Sequence, residues 1–288
     1  MTSTNGAPLD FEAELRGAAD PDNGSLTVPE AWEGFPGRAF GGFLAGAVLV
    51  AASARTEHPR PLSLFSRFYR PSPVGRAIRI ELAAERRGKN LDTFAVRLVD
   101  DDRLLSTFSV AFGREGEAPL SSQALVPPPP LVRPQPVWQY CEEIGVKPER
   151  LMRRVGYRAE TEAVPPEEAA AGWNLRSEWP ATTCDDPAVR AAVAVMAIDV
   201  FVGPATMRAN GWGLDEKSPV MMPSLDLNSW FYAPEVQHDG DWLTVRTSVP
   251  VTQAGYAVGR TQVWAGDRLM AEGMSQVALV LPSPAPST

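Results

Sequence analysis

The segment "LDLNSWFYAP" (225–234) decides the fold, because the chain contains an earlier version of it, "LSLFSRFYRP" (62–71). Six of the ten positions are identical, at an offset of 163 residues. A second pair of segments, "DRLL" (102–105) and "DRLM" (267–270), nearly keeps this spacing. A repeat period this long indicates a duplicated domain rather than a solenoid.

Both copies place a long apolar helix before a series of strand-like segments. We predict these helices at 41–55 and 186–211, the second with Asp186 as its N-cap. Four consecutive prolines (127–130) predict polyproline II between the copies, a stiff spacer that cannot join a sheet. The chain is therefore divided into an N-terminal segment (1–24), a first domain (25–114), a proline-rich linker (115–150), a second domain (151–282) and a disordered tail (283–288).

The composition of the first helix indicates how each copy packs. Its sequence "GGFLAGAVLVAASAR" (41–55) is rich in alanine and glycine, whose small side chains let a helix lie close to a curved sheet. We therefore predict the α+β class and a tandem hotdog fold, with two antiparallel sheets that each wrap one long helix.

Charge and composition exclude several classes of protein. The net charge of −8 argues against nucleic acid as a partner, because binding to phosphates requires a basic surface. The segment 41–54 is apolar but shorter than the ~20 residues that span a bilayer, so no membrane partner is expected. Two cysteines and a polar N-terminus favour a cytoplasmic protein. Nucleotide-cofactor and zinc motifs are missing, so we predict no cofactor and no metal.

Four blocks of sequence carry a resemblance to a known family. They are "FGGFLAGAVL" (40–49), "FSRFYRP" (65–71), "SLDLNSWFYAP" (224–234) and "EGMSQVALV" (272–280). Together they resemble the acyl-CoA thioesterase II family, and in particular its actinobacterial thioesterase-like branch. The resemblance implies two hotdog domains in one chain and hydrolysis of an acyl thioester.

The resemblance also implies a set of catalytic residues. Asp226 takes the place of the family's catalytic aspartate, and Gln276 that of its glutamine. The third member, a hydroxyl, is matched best by Ser248, with Thr252 as the runner-up. Leu227 stands where the family often has histidine. An aspartate between leucines is itself unusual, because aspartate is a poor strand former and its burial as a charge is costly.

The start of the first helix completes the predicted site. Gly41 and Gly42 would let substrate approach the backbone, and the N–H groups of a helix N-terminus would stabilise the oxyanion. The site would thus lie between the domains, with the base from the second copy. Asp199, inside the second apolar helix, is expected to be a structural hydrogen-bond acceptor rather than a base.

We therefore predict an acyl-CoA thioesterase that uses water activated by Asp226, on a CoA or an acyl-carrier-protein thioester. The alternative is a non-hydrolytic acyl-thioester-binding protein, or a polyketide-pathway protein on the same fold. One chain with two copies can form the paired unit alone, so either a monomer or a homo-oligomer is compatible with the sequence.

Overall fold

The computed structural model describes residues 9–114, 122–160, 163–213, 218, 220–232 and 240–281. The predicted disordered tail (283–288) and the first part of the predicted linker (115–121) lie outside the described residues. The helices are α1 (Phe11–Ala18), α2 (Gly41–Ser53), α3 (Val137–Glu143), α4 (Arg150–Val155), α5 (Pro166–Ala170), α6 (Pro187–Val200) and α7 (Val202–Ala209), with a 3-10 turn at Glu30–Trp32.

The described residues contain fifteen strands. They are β1 (Ala19–Asp20), β2 (Ser25–Thr27), β3 (Glu33–Phe35), β4 (Arg38–Ala39), β5 (Arg60–Phe68), β6 (Ala77–Arg86), β7 (Leu91–Asp100), β8 (Arg103–Gly113), β9 (Pro134–Pro136), β10 (Arg158–Glu160), β11 (Leu175–Pro180), β12 (Ser224–Phe231), β13 (Trp242–Gln253), β14 (Tyr256–Ala265) and β15 (Arg268–Ala278).

Within the described residues, the two predicted sheets are joined into one. Thirteen strands form a continuous sheet in the order β1-β2-β6-β7-β8-β5-β12-β15-β14-β13-β11-β10-β9, because β5 and β12 pair antiparallel. Phe65 and Asn228, which are equivalent in the repeat, pair with each other at the centre of this junction. The junction satisfies backbone groups that two separate sheets would leave open at their edges.

The helices α2 and α6 lie together in the core. Both are apolar on nearly all sides, as expected for helices surrounded by protein. They run antiparallel at very short range, since a Cβ on Gly42 would lie 2.9 Å from Cα of Met196 and one on Gly46 would lie 3.2 Å from Cβ of Ala192. Small residues are therefore required at positions 42 and 46 of α2.

The second long helix is shorter than predicted. Instead of one helix over 186–211, the chain forms α6 and α7, which are separated at Phe201. Asp186 caps α6 as predicted, because its side chain accepts a hydrogen bond from the Ala188 amide at 2.8 Å. The stretch 187–209 is long and apolar enough to cross a membrane, but 83% of its most apolar window is buried inside the protein, so it is a core helix.

Two segments outside the predicted domains contribute to the fold. Helix α1 packs on the core through Leu15, which is fully buried. Residues 134–136, inside the predicted linker, form the edge strand β9 against β10. The predicted linker thus contains a short strand, whereas the four prolines at 127–130, which were predicted not to join the sheet, form no strand. Prolines are tolerated at a sheet edge, where their missing N–H faces away from the partner strand.

Candidate functional site

A buried carboxylate meets the N-terminus of α2. It belongs to Asp199, near the end of α6, whose exposed fraction is 7%. Its Oδ2 accepts a hydrogen bond from the Gly42 amide at 2.7 Å. The antiparallel packing of α2 and α6 creates this contact, because it places the last turn of α6 beside the first turn of α2.

The sequence leaves this helix terminus open to an external partner. Phe40 occupies the N-cap position of α2 and has no side-chain acceptor, so the first amide groups of the helix lack a local cap. A Cβ on Gly41 would lie 3.0 Å from Oδ2 of Asp199. The glycines therefore let a carboxylate from the other half approach the positive end of the helix dipole.

Ser224 holds the second carboxylate oxygen. Its Oγ donates a hydrogen bond to Oδ1 of Asp199 at 2.7 Å. A register shift in β12 lies between Ser224 and Asp226. Because such a bulge interrupts the alternation of side chains along a strand, Ser224 reaches the helix side whereas Asp226 does not. The carboxylate is thus fixed from α2 and from β12.

Burial changes the acidity of this group. The loss of hydration raises the pKa of Asp199 from its usual 3.8 to about 6, and the hydrogen bonds from Ser224 and Gly42 counteract part of this rise. A carboxylate with a pKa near 6 is ionised at neutral pH and is a stronger base than an ordinary aspartate. Its environment therefore suits proton transfer.

Aromatic side chains surround the same helix terminus. The Phe40 ring would lie 2.6 Å from a Cβ on Gly42, and the Phe68 ring 3.3 Å from one on Gly41. Gly41 is partly exposed, whereas Gly42 is buried. The carboxylate therefore lies at the inner end of an apolar setting that solvent reaches at Gly41.

Asp226 and Gln276 are neighbours, as predicted, but on the other face of the sheet. The buried side chains of β12, including that of Leu227, face the core, and the Asp226 side chain points away from them with 16% exposure. Its Oδ1 accepts a hydrogen bond from the backbone N–H of Gln276 at 3.0 Å, and Oδ2 lies 3.7 Å from Nη2 of Arg67. The carboxylate that contacts the predicted glycine pair is therefore Asp199, not Asp226.

The structure does not bring the predicted hydroxyls to Asp226. Ser248 and Thr252 lie on β13, which is separated from β12 by β15 and β14. Three strand spacings amount to roughly 14 Å along a sheet. The Thr252 hydroxyl instead accepts a hydrogen bond from Nδ2 of Asn210 at 3.0 Å. One water molecule could not contact both Asp226 and either hydroxyl at this separation.

Asp199 was noticed in the sequence but was assigned a structural role. The signal that could have identified it is the segment "VMAIDVFVG" (195–203), in which one carboxylate interrupts an apolar helix. A buried carboxylate with a strongly shifted pKa is a candidate for function as well as for structure. What the sequence could not supply is its partner, because the Asp199–Gly42 contact joins residues 157 positions apart.

Comparisons with known proteins agree with this architecture. The family model described as the acyl-CoA thioesterase N-terminal domain matches residues 28–113, and that of the C-terminal domain matches residues 126–280. No protein of curated function matches the chain at a significant level.

Three solved structures share the fold over nearly the whole length of both chains. A hot dog protein of unknown function from Alicyclobacillus acidocaldarius is 19% identical with a TM-score of 0.72, covering 96% of this chain and 100% of its own. The tesB protein of Mycobacterium avium subs paratuberculosis is 19% identical with a TM-score of 0.70, covering 95% and 99%. The acyl-CoA thioesterase II TesB2 of Mycobacterium marinum is 18% identical with a TM-score of 0.70, covering 97% and 100%.

These matches confirm the predicted tandem hotdog fold and the predicted resemblance. The C-terminal family model alone covers more than half of the chain, and the N-terminal one covers most of the remainder. The chain therefore belongs to the acyl-CoA thioesterase family, a family of thioester hydrolases.

Proposed function

We propose that this protein hydrolyses acyl-CoA thioesters at the interface of its two halves, with Asp199 as the general base. The observation that carries the proposal is the buried Asp199 carboxylate, with its raised pKa, at the N-terminus of α2. A thioester carbonyl placed there would meet both a base and the positive end of a helix dipole.

The proposed reaction uses one water molecule. Asp199 accepts a proton from the water as its oxygen attacks the carbonyl carbon, and a tetrahedral intermediate forms. Collapse of the intermediate breaks the C–S bond, and the leaving thiolate takes the proton from Asp199. The products are a carboxylic acid and free CoA thiol, and the carboxylate is regenerated for the next cycle.

The backbone at the start of α2 has two roles in this scheme. The Gly42 amide and the Ser224 hydroxyl orient the carboxylate. The oxyanion is stabilised by a neighbouring amide of the first turn, that of Gly41, because the first amides of a helix have no partner within it. Gly41 suits this role since it is partly exposed and has no side chain to obstruct the carbonyl.

The sequence-based hypothesis that Asp226 is the base stays as a competing proposal. Its support is the adjacency of Asp226 and Gln276 in β12 and β15. Against it, the Asp226 carboxylate contacts Arg67 on the outer face of the sheet, away from the buried contact between Asp199 and the start of α2. The two aspartates can be compared directly, because each can be replaced by asparagine with little change of shape.

The test is release of free thiol from a series of acyl-CoA substrates of increasing chain length. We expect Asp199→Asn to lower kcat by ~10²–10⁴-fold, the usual effect of losing a general base. Asp226→Asn serves as the matched variant and should retain activity within about threefold of the unaltered protein, because it lies outside the proposed reaction. The reverse result would assign the base to Asp226.

Two further outcomes would change the function itself. Binding of acyl-CoA without thiol release at any chain length would favour a non-hydrolytic acyl-binding protein. Release from acyl-carrier-protein but not from acyl-CoA would move the substrate class to carrier-bound thioesters. Cytoplasmic location and oligomeric state stay predictions, to be checked by fractionation and by light scattering.

A further inference from the structure

A cavity of about 380 Å³ opens beside the segment that leads into α2. Two loops line it, the first with Pro36, Gly37 and Arg38 and the second with residues 70–73. Arg76, just before β6, the end of β7 and the start of β8 contribute its remaining side chains. None of the residues predicted from the sequence to be catalytic lines this cavity.

The lining is strongly basic although the protein as a whole is acidic. Four guanidinium groups, from Arg38, Arg70, Arg76 and Arg103, face a single carboxylate, from Asp100. Both terminal nitrogens of Arg76 bind Asp100, which also interacts electrostatically with Arg103, and the neighbouring Asp101 acts on Arg76. In a protein of net charge −8, this excess of positive charge marks a site for an anion.

Two of the four arginine side chains form no hydrogen bond with any residue that the structure describes, whereas a third, Arg70, does. Arg70 donates a hydrogen bond to the Leu104 carbonyl at 2.7 Å. The side chains of Arg38 and Arg103 are exposed and form no hydrogen bond or ion pair with any residue that the structure describes. A planar guanidinium group can bind two phosphate oxygens at once. Arg38 and Arg103 are thus available to a phosphate ligand.

The backbone around the cavity is constrained before any ligand binds. The Ala39 amide donates to the Ser72 carbonyl at 2.9 Å, and Arg38 forms an isolated β-bridge with Pro73. Ser72 also lines the cavity, and its buried hydroxyl has no hydrogen-bond partner among the described residues. Binding would therefore require little ordering of the loops, which lowers its entropic cost.

The cavity is close to the proposed catalytic centre along both loops. Arg38 precedes Gly41 by three residues, a distance that extended backbone covers in about 10 Å. Arg70 follows Phe68 by two residues, and the Phe68 ring lies beside Gly41. A ligand that reaches both places needs an anionic end, a flexible arm and a thioester at the other end of the arm.

We propose that this cavity binds the phosphate groups of coenzyme A, with Arg38 and Arg103 as the recognition residues. The assignment rests on the proposed function, because it identifies the part of the acyl-CoA substrate that is held outside the catalytic centre. CoA carries a pyrophosphate and a 3′-phosphate, whereas a carrier-protein thioester carries one phosphodiester. Several guanidinium groups around one cavity fit the more highly charged ligand.

The kinetic test compares two substrates that share an acyl group. One is the acyl-CoA, and the other is the same acyl group on N-acetylcysteamine, which has no phosphate. For the double variant Arg38→Ala, Arg103→Ala we expect KM for acyl-CoA to rise by ~10-fold or more with kcat little changed, as for loss of uniform binding. Hydrolysis of the phosphate-free substrate should be unaffected.

The matched control is Arg97→Ala. Arg97 is an exposed arginine on β7 that pairs with Glu81 and does not line the cavity. This variant should hydrolyse both substrates at unchanged rates. Such a result would show that removing any positive charge from the surface does not by itself weaken binding of acyl-CoA. An equal loss on both substrates in the double variant, or no loss on either, would overturn the proposal.

A binding measurement separates this proposal from the proposed function. Calorimetric titration with CoA, dephospho-CoA and pantetheine should give affinities that decrease in that order, with the double variant binding CoA about as weakly as pantetheine. If this order holds while no thioester is hydrolysed, the cavity assignment stands and the hydrolase proposal fails. If hydrolysis is observed but all three compounds bind equally, the cavity assignment fails. Inorganic pyrophosphate binding as tightly as CoA would also overturn it.

Discussion

The two long core helices begin in opposite ways although they come from duplicated segments. Helix α2 starts with Phe40, Gly41 and Gly42, and its open amide is met by Asp199 from the other half. Helix α6 starts with Asp186 and Pro187, and its first turn is capped by its own Asp186 side chain. The first amide groups of α2 thus take their acceptor from the other half of the chain, whereas those of α6 take theirs from the adjacent residue Asp186.

The far ends of the helices show the same difference. Asp199 is the thirteenth residue of α6, and Ser53 is the thirteenth residue of α2. The Ser53 hydroxyl donates to the carbonyl of Val50 in its own helix at 2.8 Å and does not reach across. At the start of α6, Arg16 from α1 pairs with the capping residue Asp186. The carboxylate that contacts the other helix is thus present at only one of the two pseudo-equivalent ends, the end proposed to be catalytic.

After the loss of the Asp199 carboxylate itself, the largest effect is expected from the two glycines at the open end, which should separate the effect on activity from the effect on helix packing. In Gly41→Ala the new methyl would lie 3.0 Å from the Asp199 carboxylate, so we expect a loss of ~10²-fold in kcat/KM with the fold retained. In Gly42→Ala it would meet the Met196 backbone at 2.9 Å, so we expect destabilisation of about 1–3 kcal/mol.

Thermal unfolding and thiol release measured on both glycine variants would check this separation. Gly17→Ala is a suitable control, because a Cβ there meets nothing within 4 Å. Full activity in Gly41→Ala would mean that the substrate carbonyl does not approach this turn.

The second prediction concerns how the ionisation of Asp199 changes the free energy of unfolding with pH. Its folded pKa of about 6 is above the usual 3.8, so its contribution to stability is fully present below pH ~4 and is lost as the pH rises through about 6. Asp199→Asn should therefore match the unaltered protein at low pH and exceed its free energy of unfolding by on the order of 2–3 kcal/mol above pH 7.

Denaturant titrations of both proteins across pH 4–8 would measure that difference, in which the contributions of all other groups cancel. The same ionisation should appear as an increase of kcat/KM with pH around 6 in the unaltered protein. Lower stability of Asp199→Asn at neutral pH would indicate a purely structural carboxylate.

A smaller effect is expected from Ser224→Ala. The Ser224 hydroxyl lowers the pKa of Asp199, so its removal should raise that pKa further and shift the activity profile to higher pH. We expect a decrease of about tenfold in kcat/KM at pH 7, near the lower end of the value of one hydrogen bond to a charged group. A full pH–rate profile is needed, because a variant that merely folds poorly would lose activity without moving the profile.

The smallest effect is expected at the closed end. Asp186→Ala removes the cap of α6 and should cost about 1 kcal/mol of stability. Activity at saturating substrate should not change, because this end takes no part in the proposed reaction. A loss of turnover that exceeds the loss of folded protein would show that the two ends are more alike in function than their caps suggest.

Much of the fold could be predicted from the sequence because its signals are local or repeated. The alternation in β12 and the cap of α6 each depend on a few neighbouring residues, and the 163-residue repeat transfers one copy's elements to the other. The pairing of β5 with β12 was missed because strand neighbours across a junction are set by packing of the whole chain.

The candidate site was predicted only in part, for an equally physical reason. The adjacency of Asp226 and Gln276 follows from the sequence, and the role of the glycine pair in a site between the halves stays a prediction. Whether Asp226 can reach the glycine pair depends on which face of β12 its side chain occupies. The register shift between Ser224 and Asp226 determines which face each side chain occupies, and no pattern in the sequence predicts this shift. The contact between Asp199 and Gly42 depends in turn on the antiparallel helix packing.

The junction at Phe65 and Asn228 has a consequence for how the two copies can differ. In a dimer of identical subunits, every change is made twice, so both helix starts would have to keep the same sequence. Covalent fusion removes that constraint and lets each copy specialise. The proposed reaction centre is therefore single, where a symmetric pair would carry two, and the other helix start is available to stabilise the fold.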